Sequence, residues 1–318
     1  MKTRKLKNED ISAIGLGCMG MSEFYGDSDD SQSLKVLHEA VNQGITLFDT
    51  SDFYGDGHNE KLLGRFLSQT GTKPLISTKT GIVRGADIEG SNLFQRSFNG
   101  SNDYIRKSCE ASLRRLGVDA VDLYYLHRVD PDTPIEESME SLSQLVKEGK
   151  IRHIGLSEAN EDEIRRANKV HPLSAVQSEY SLWTRNVETG ISALCQELGI
   201  TFFAYSPLGR GMLKPEIQLS ASDFRVNLPR FSAANLQKNG FLFSELTEVS
   251  DEYKVSNAQV LLAWLLARGE HIVPIPGTRN VKYLIENCQS TTLSLSPESL
   301  QRLSSSFALE MVSGDRYL

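Results

Sequence analysis

Asp49, Lys79 and His127 each close an apolar run, in ITLFD, PLISTK and VDLYYLH. Three more runs stop the same way: IRHIGLS at Ser157, SAVQ at Gln177 and TFFAY at Tyr205. One polar ending is commonplace, because a buried strand leaving the core meets water. Six in series, all titratable or hydrogen-bonding, point to a shared destination. Tyr54 follows five positions after Asp49, in DTSDFYGDGHNEKLLG, with glycines close by. A phenol beside a Lys ammonium is drawn toward ionisation, and Asp49 can pair with Lys79 to hold it there. His127 can hydrogen-bond a substrate oxygen or the phenol. Such a set can deliver a proton to a carbonyl oxygen as charge develops on it. It offers no Ser or Cys nucleophile with a base, and six His spread singly give no metal-ligand spacing. The missing part is a group that attacks the carbonyl carbon, and nicotinamide hydride is the simplest.

These residues need elements to bring them together. Strand-like runs at residues 14–17, 45–49, 74–79, 121–127, 151–157, 175–177, 201–205 and 272–276 alternate with amphipathic stretches at 33–42, 103–116, 135–147, 161–169, 191–198 and 258–267. In 103–116, Ile105, Cys109, Ser112, Leu113 and Leu116 share a face, and Gly117 stands where the helix would end. Gly149 and Gly199 punctuate two other helices. Eight strand–helix units at this length predict an α/β fold, a (β/α)8 TIM barrel forming one domain over residues 1–318, with a doubly wound sheet as the alternative. In a barrel the C-terminal strand ends converge on one mouth. Residues 3–14 read as a short hairpin ahead of the barrel, turning at Asn8-Glu9-Asp10. Two long connections rich in Gly, Ser and Asn, 81–101 and 209–239, read as loops over the mouth.

Composition narrows the partners. The 318 residues are 39% hydrophobic and 24% charged, enough for a substantial core, with a formal net charge of −7 and no long run of one sign. That balance argues against a general nucleic-acid surface. MKTRKLKNED is basic, but no signal-type apolar stretch follows, and no apolar run approaches the ~20 residues of a membrane span. Cys18, Cys109, Cys195 and Cys288 are scattered and suit a reducing compartment. A cytoplasmic protein acting on a small molecule, with no metal, is the expectation.

GLGCMG, residues 15–20, fits G-x-G-x-x-G letter for letter. That motif holds a dinucleotide when a helix starts on its glycines. Here MSEFYGDSDD follows, and helical spacing begins only near Asp30. Asp49 lies 29 residues past Gly20, where the fingerprint asks for an acid at about 20. The stretch reads as a glycine-lined turn at a strand end.

The sequence resembles the aldo-keto reductases. GLGCMGMS, ITLFDTSDFYGDGHNEKLLG, ISTK, VDLYYLHRVD, IRHIGLSEA, AVQSEYSLWTR, FAYSPLGRGML and PIPGTRNVKYLIEN fit that family in order, from about residue 4 to residue 290. CEASLRRLGVD, GLSEA and VQSEYSLWTR are most similar to the branch of perakine reductase-like plant enzymes and their bacterial relatives. By this resemblance Tyr54 is the general acid, tuned by Lys79 and Asp49, and His127 orients the carbonyl. The implied cofactor is NADPH/NADP+. Ser157 and Gln177 would bind its carboxamide, Tyr205 would stack on the nicotinamide, and Gly17, Cys18 and Met19 would lie near the inner ribose. Ser206, Pro207, Leu208 and Gly209 would follow the pyrophosphate. Gly277, Thr278 and Arg279 would cap the adenosine end, with Arg279 on the 2′-phosphate and Glu286 and Asn287 at the adenine.

Phe24, Tyr25, Phe53, Phe94 and Trp183, with Tyr54 and His127, are candidate walls of a substrate pocket for aldehydes with apolar or aromatic bodies. Two positions depart from the family pattern: Glu158 stands where many members carry Asn, and Tyr283 where other branches carry Arg. Two other readings stay open. Lys79 could form a Schiff base, as in class I aldolases, although an ion-paired Lys stays protonated. The chain could also be an NADP(H)-binding sensor subunit with little turnover.

Overall fold

A computed structural model describes residues 1–84, 96–220 and 223–317, with Arg96 as backbone only. Its elements run β1 (Thr3–Leu6), β2 (Glu9–Ser12), β3 (Leu16–Gly17), α1 (Asp30–Asn42), β4 (Leu47–Asp49), α2 (His58–Gln69), β5 (Leu75–Thr80), β6 (Ile82–Arg84), β7 (Arg96–Phe98) and α3 (Asn102–Leu116). The second half continues with β8 (Val121–Leu126), α4 (Ile135–Lys147), β9 (Ile151–Ser157), α5 (Glu161–Val170), β10 (Ala175–Glu179), α6 (Ile191–Glu197) and β11 (Thr201–Tyr205). After it come α7 (Ala233–Lys238), α8 (Gly240–Tyr253), α9 (Asn257–Leu266), β12 (Ile272–Pro274), α10 (Val281–Gln289) and α11 (Pro297–Ser306). Eight of the strands pair in parallel in the order β3-β4-β5-β8-β9-β10-β11-β12. The ends of that sheet meet: Gly15 N–H donates to the Pro274 carbonyl at 2.9 Å and Gly17 N–H to that of Pro276 at 3.2 Å. This is the (β/α)8 fold.

Alternation along each strand explains the site. Leu47, Leu123, Tyr125, Ala175, Phe203 and Val273 form one apolar cluster inside the barrel, and Leu6 and Ile11 of the β1–β2 hairpin plug its lower end. Their neighbours Phe48, Tyr124, Leu126, Val176 and Phe202 point outward, into the larger cluster beneath the helices. Two residues past an inward position lies the next inward position. Asp49 therefore stands above Leu47 and Gln177 above Ala175. Interior space is limiting: a Cβ on Gly155 would come within 2.4 Å of the Tyr125 ring, so only glycine fits opposite that tyrosine.

The structure corrects several boundaries. The hairpin turns at Lys7-Asn8, since Leu6 pairs with Glu9, and Lys7 takes the positive φ of 52° that so tight a loop requires. α2, which is not among the stretches named above, buries Leu62, Leu63 and Phe66 and carries Gly64 in its middle. Packing accounts for that glycine: a Cβ there would lie 2.4 Å from the Arg115 carbonyl oxygen of α3. The connection 209–239 is partly structured, containing short 3-10 turns at Phe224–Asn227 and Pro229–Phe231 and the helix α7. Phe224 N–H donates to the Phe24 carbonyl at 3.0 Å, which ties this connection to the loop after β3. Most of 81–101 lies outside the described residues.

Candidate active site

At the C-terminal mouth lies a cavity of about 650 Å³. Asp49 and Tyr54 line it, and Lys79, fully buried and outside the lining, is bonded to both. Lys79 Nζ donates to Asp49 Oδ2 at 2.6 Å, to the Thr50 carbonyl at 2.7 Å and to the Tyr54 hydroxyl at 3.3 Å. Three donors meet three acceptors, so the ammonium is fully satisfied. The other oxygen of Asp49 accepts from Ser77 Oγ at 2.7 Å and from Gln177 Nε2 at 2.9 Å. Burial disfavours the Lys79 charge, but Asp49 and these hydrogen bonds outweigh it and raise the pKa. For Tyr54 the balance falls the other way. Burial is the largest influence and raises the phenol above its ordinary value, while Lys79 pulls it down less strongly. The expected drift toward phenolate is thus corrected: the pocket keeps Tyr54 protonated.

Two residues beyond the sequence reading hold the Tyr54 loop. Asn59 accepts from Thr50 Oγ1 at 2.6 Å and donates to the Cys18 carbonyl at 2.8 Å and to Ser22 Oγ at 2.7 Å. Arg84 donates to the Phe53 carbonyl at 2.6 Å and pairs with Glu23. His127 lines the cavity with its ring edge-on to Tyr54, the centroids 5.9 Å apart. Its Nδ1 lies 3.2 Å from Ser51 Oγ.

Most of the other proposed positions line the same space: Gly17, Met19, Phe24, Tyr25, Phe53, Ser157, Gln177, Tyr205, Ser206, Pro207, Leu208, Gly277, Thr278 and Arg279. Several do not. The Cys18 thiol is fully buried and burial pushes its pKa up, so this residue contributes backbone, its N–H bonding the Asp49 carbonyl at 2.9 Å. Trp183 is no pocket wall. It is 1% exposed and packs on Phe243 and Phe307, with ring centroids 5.1 and 4.9 Å away. Gly209 lies against it, and a Cβ there would come 2.2 Å from the indole. An aromatic after a strand carries no sign of which side of its loop it will face. On α10, Glu286 accepts from Ser256 Oγ, and Asn287 is buried. Neither lines the cavity, whose far rim on α10 is Tyr283, one helical turn earlier. Phe94 lies outside the described residues.

Arg128, Arg210, Arg225 and Arg279 line the cavity, of which Arg210 is paired with Glu179 at 2.6 Å and Arg225 with Asp223 at 2.7 Å. Arg128 donates to Ser157 Oγ at 3.2 Å. Sequence reading passed over it although it directly follows His127. The Arg279 guanidinium donates to the Tyr25 carbonyl at 2.7 Å and also to those of Gly26 and Asp27, tying the loop after β3 to the start of α10. Four lining or rim residues other than glycine take positive φ: Phe24 (78°), Glu158 (56°), Ser206 (49°) and Arg210 (59°). Such strain concentrates where a fold must present groups to a ligand. Glu158 is held by the C-terminal tail. It accepts from Arg316 at 2.8 Å and from the Glu179 N–H at 2.9 Å. Burial opposes its charge, yet Arg316 and Arg128 keep the carboxyl below its ordinary range. Arg316 and Tyr317 also meet the Tyr205 hydroxyl, each at 3.2 Å.

Residues 13–307 match the Aldo/keto reductase family. The chain belongs to that family. A probable aldo-keto reductase 1 of Glycine max is 41% identical over 314 residues, covering 97% of this chain and 89% of that protein. Among solved structures, a glycerol dehydrogenase of Gluconobacter oxydans superposes on this aldo/keto reductase with a TM-score of 0.88 at 26% identity, covering 99% of this chain and 98% of the other. An aldo/keto reductase of Klebsiella pneumoniae, solved with NADP and acetate, gives a TM-score of 0.72 at 24% identity, covering 94% and 92%. No described helix of this reductase is long and apolar enough to cross a membrane, and no described cluster of His, Cys, Asp or Glu could hold a metal ion.

Proposed function

We propose that the protein reduces aldehydes to alcohols with NADPH, Tyr54 giving the proton. The observation that carries this reading is the contact of Tyr54 OH, at the wall of the cavity, with a fully buried, Asp49-paired Lys79. The donor set fits the cofactor. An aromatic ring, a hydroxyl and an amide (Tyr205, Ser157, Gln177) lie at the Tyr54 end, and Thr278 and Arg279 at the other. Arg128, which also lines the cavity, adds a guanidinium suited to an anion. The Klebsiella relative binds NADP. Bound NADPH would supply the hydride to the carbonyl carbon.

Each protein group then has a part. Gln177, its amide nitrogen on Asp49, keeps a carbonyl oxygen as acceptor for a carboxamide nitrogen. Tyr54, kept protonated by burial, donates to the substrate oxygen. Lys79 sits 3.3 Å from that hydroxyl and stabilises the phenolate left behind. His127 orients the carbonyl. Phe24 and Phe53, stacked with centroids 6.4 Å apart, give an apolar wall suited to aldehydes with apolar or aromatic bodies. The Schiff-base reading loses ground, since a Lys buried against Asp49 stays charged and is no nucleophile.

The test is NADPH oxidation by the purified protein with aromatic and aliphatic aldehydes, pyridoxal included. Alcohol formed in step with NADPH consumed supports the reading. NADPH bound with no turnover on any aldehyde contradicts it and favours a cofactor-sensing role.

A further inference from the structure

The chain after α11 returns to the mouth of the barrel and is fastened there. Ser313 N–H donates to Asn239 Oδ1 at 2.8 Å, and Asn239 Nδ2 donates back to the Ser313 carbonyl at 3.1 Å. Arg230 Nε donates to the Gly314 carbonyl at 3.1 Å. Gly314 takes a φ of 92°, and a Cβ there would lie 2.6 Å from Arg230 Cα, so this approach needs glycine. Arg210 donates to the Arg316 carbonyl at 3.4 Å.

The Arg316 side chain ends in a set of opposed charges. Its Nε donates to Glu179 Oε2 at 3.2 Å and its Nη2 to Glu158 Oε2 at 2.8 Å. Glu179 Oε2 also accepts from Arg210 Nη2 at 2.6 Å, and Glu179 Oε1 from Thr184 Oγ1 at 3.0 Å. Glu158 Oε1 accepts from the Glu179 N–H at 2.9 Å. Glu158 and Glu179 thus meet Arg210 and Arg316, and Glu179 and Arg210 are buried. Removing one member would leave a partner charged and uncompensated, so these groups hold one another in place.

The group this set reaches is Tyr205, which lines the cavity. Arg316 Nη2 also donates to the Tyr205 hydroxyl at 3.2 Å, and the Tyr317 hydroxyl meets the same oxygen at 3.2 Å. After accepting from Arg316, that oxygen keeps one lone pair and one proton, so its contact with Tyr317 is satisfied whichever tyrosine donates. The Arg210 guanidinium stacks on the Tyr317 ring, 4.6 Å from its centroid, and closes the same corner. A tyrosine hydroxyl lies on the long axis of its ring. Holding it fixes the direction in which the ring leaves the end of β11, and releasing it frees the side chain to change rotamer.

We infer that Arg316, held by Glu158 and Glu179, is a positioning residue that locks the Tyr205 ring where it receives the nicotinamide, which makes the C-terminal tail part of the cofactor site. This rests on the NADPH reading proposed above. It also gives the carboxylate at position 158 a task. Both Glu158 oxygens are engaged, one by the Glu179 N–H and one by Arg316. An amide there could keep the first contact but would lose the charge that pairs with Arg316.

The test is a double-mutant cycle read by binding. NADPH affinity should fall by roughly tenfold in Arg316→Ala and in Tyr205→Phe, within the coupling expected of touching residues. The double variant should bind no worse than either single one, because the tail acts through the Tyr205 hydroxyl. Glu158→Gln should show a smaller loss of the same kind, and Arg316→Lys should restore most of the affinity. Adenosine 2′,5′-bisphosphate, which shares the adenosine end and has no nicotinamide, should bind equally to every variant. Losses that simply multiply in the double variant, or a bisphosphate affinity that falls along with that for NADPH, would mean that the tail only braces the fold and would overturn the inference. So would an Arg316→Ala protein that binds NADPH as wild type does. A wild type that binds NADPH and turns over no aldehyde, with the cycle still non-additive, would sink the reductase reading and leave the tail's role standing.

Discussion

The two ends of the main cavity are built differently. At the Tyr54 end, Asp49, Ser77, Lys79 and Gln177 all belong to barrel strands and are bonded to one another at 2.6–2.9 Å. At the far end, Thr278 and Arg279 sit between β12 and α10, and Arg279 is engaged with carbonyls of another loop. The first end is complete before any ligand arrives. The second must exchange protein contacts for ligand contacts. Catalytic geometry tolerates little error, so it belongs on strands, whereas an anchoring group can pay for some rearrangement with binding energy.

Breaking the strand-built end should have the largest effect. Lys79→Met leaves Asp49 charged and unpaired in the core, which costs about 3–5 kcal/mol of stability and should abolish turnover. Chemical denaturation and steady-state kinetics read both. The double variant Asp49→Asn/Lys79→Met should recover much of the stability and none of the activity. Recovered activity would make the pair structural only.

At the loop-built end the effect should be smaller and selective. Losing one charge-assisted contact of about 1.5–3 kcal/mol, Arg279→Ala should weaken NADPH binding by roughly tenfold or more, measured by fluorescence titration. NADH binding should weaken less, through the loosened loop after β3 alone. Equal losses for the two cofactors would remove Arg279 from the 2′-phosphate.

The smallest effect concerns stability and pH. Burial raises the pKa of Asp52, in the Tyr54 loop, in the folded protein, so its contribution to stability is fully present below the ordinary carboxylate range and is lost as pH rises through about 7. The melting-temperature advantage of Asp52→Asn over wild type should therefore grow from pH 4 to pH 7 and level off above. A constant difference across that range would mean that Asp52 ionises normally.

The sequence made the strand-built end readable because strand periodicity is local. Once ITLFD and PLISTK are strands, Asp49 and Lys79 must stand at their ends, and their partners follow from barrel closure. Tyr54 was readable from its company. Trp183 was misplaced because its facing depends on the approach of Gly209 and of two distant aromatics, Phe243 and Phe307. Arg316 and Tyr317 went unnoticed for a related reason. No pattern near the C-terminus shows that the tail returns to Tyr205 and Glu158. Ser51 was quoted within DTSDFYG but passed over, since its contact with His127 spans 76 residues.

The central claim is that Tyr54 is the proton donor of a carbonyl reductase. The most direct test compares wild type with Tyr54→Phe, measuring NADPH oxidation with the best aldehyde and NADPH dissociation constants in parallel. The account predicts turnover lower by about 10²–10⁴ with NADPH affinity nearly unchanged, because the phenol oxygen is lost and the cavity keeps its shape. A phenylalanine variant that retains most of its turnover would contradict it.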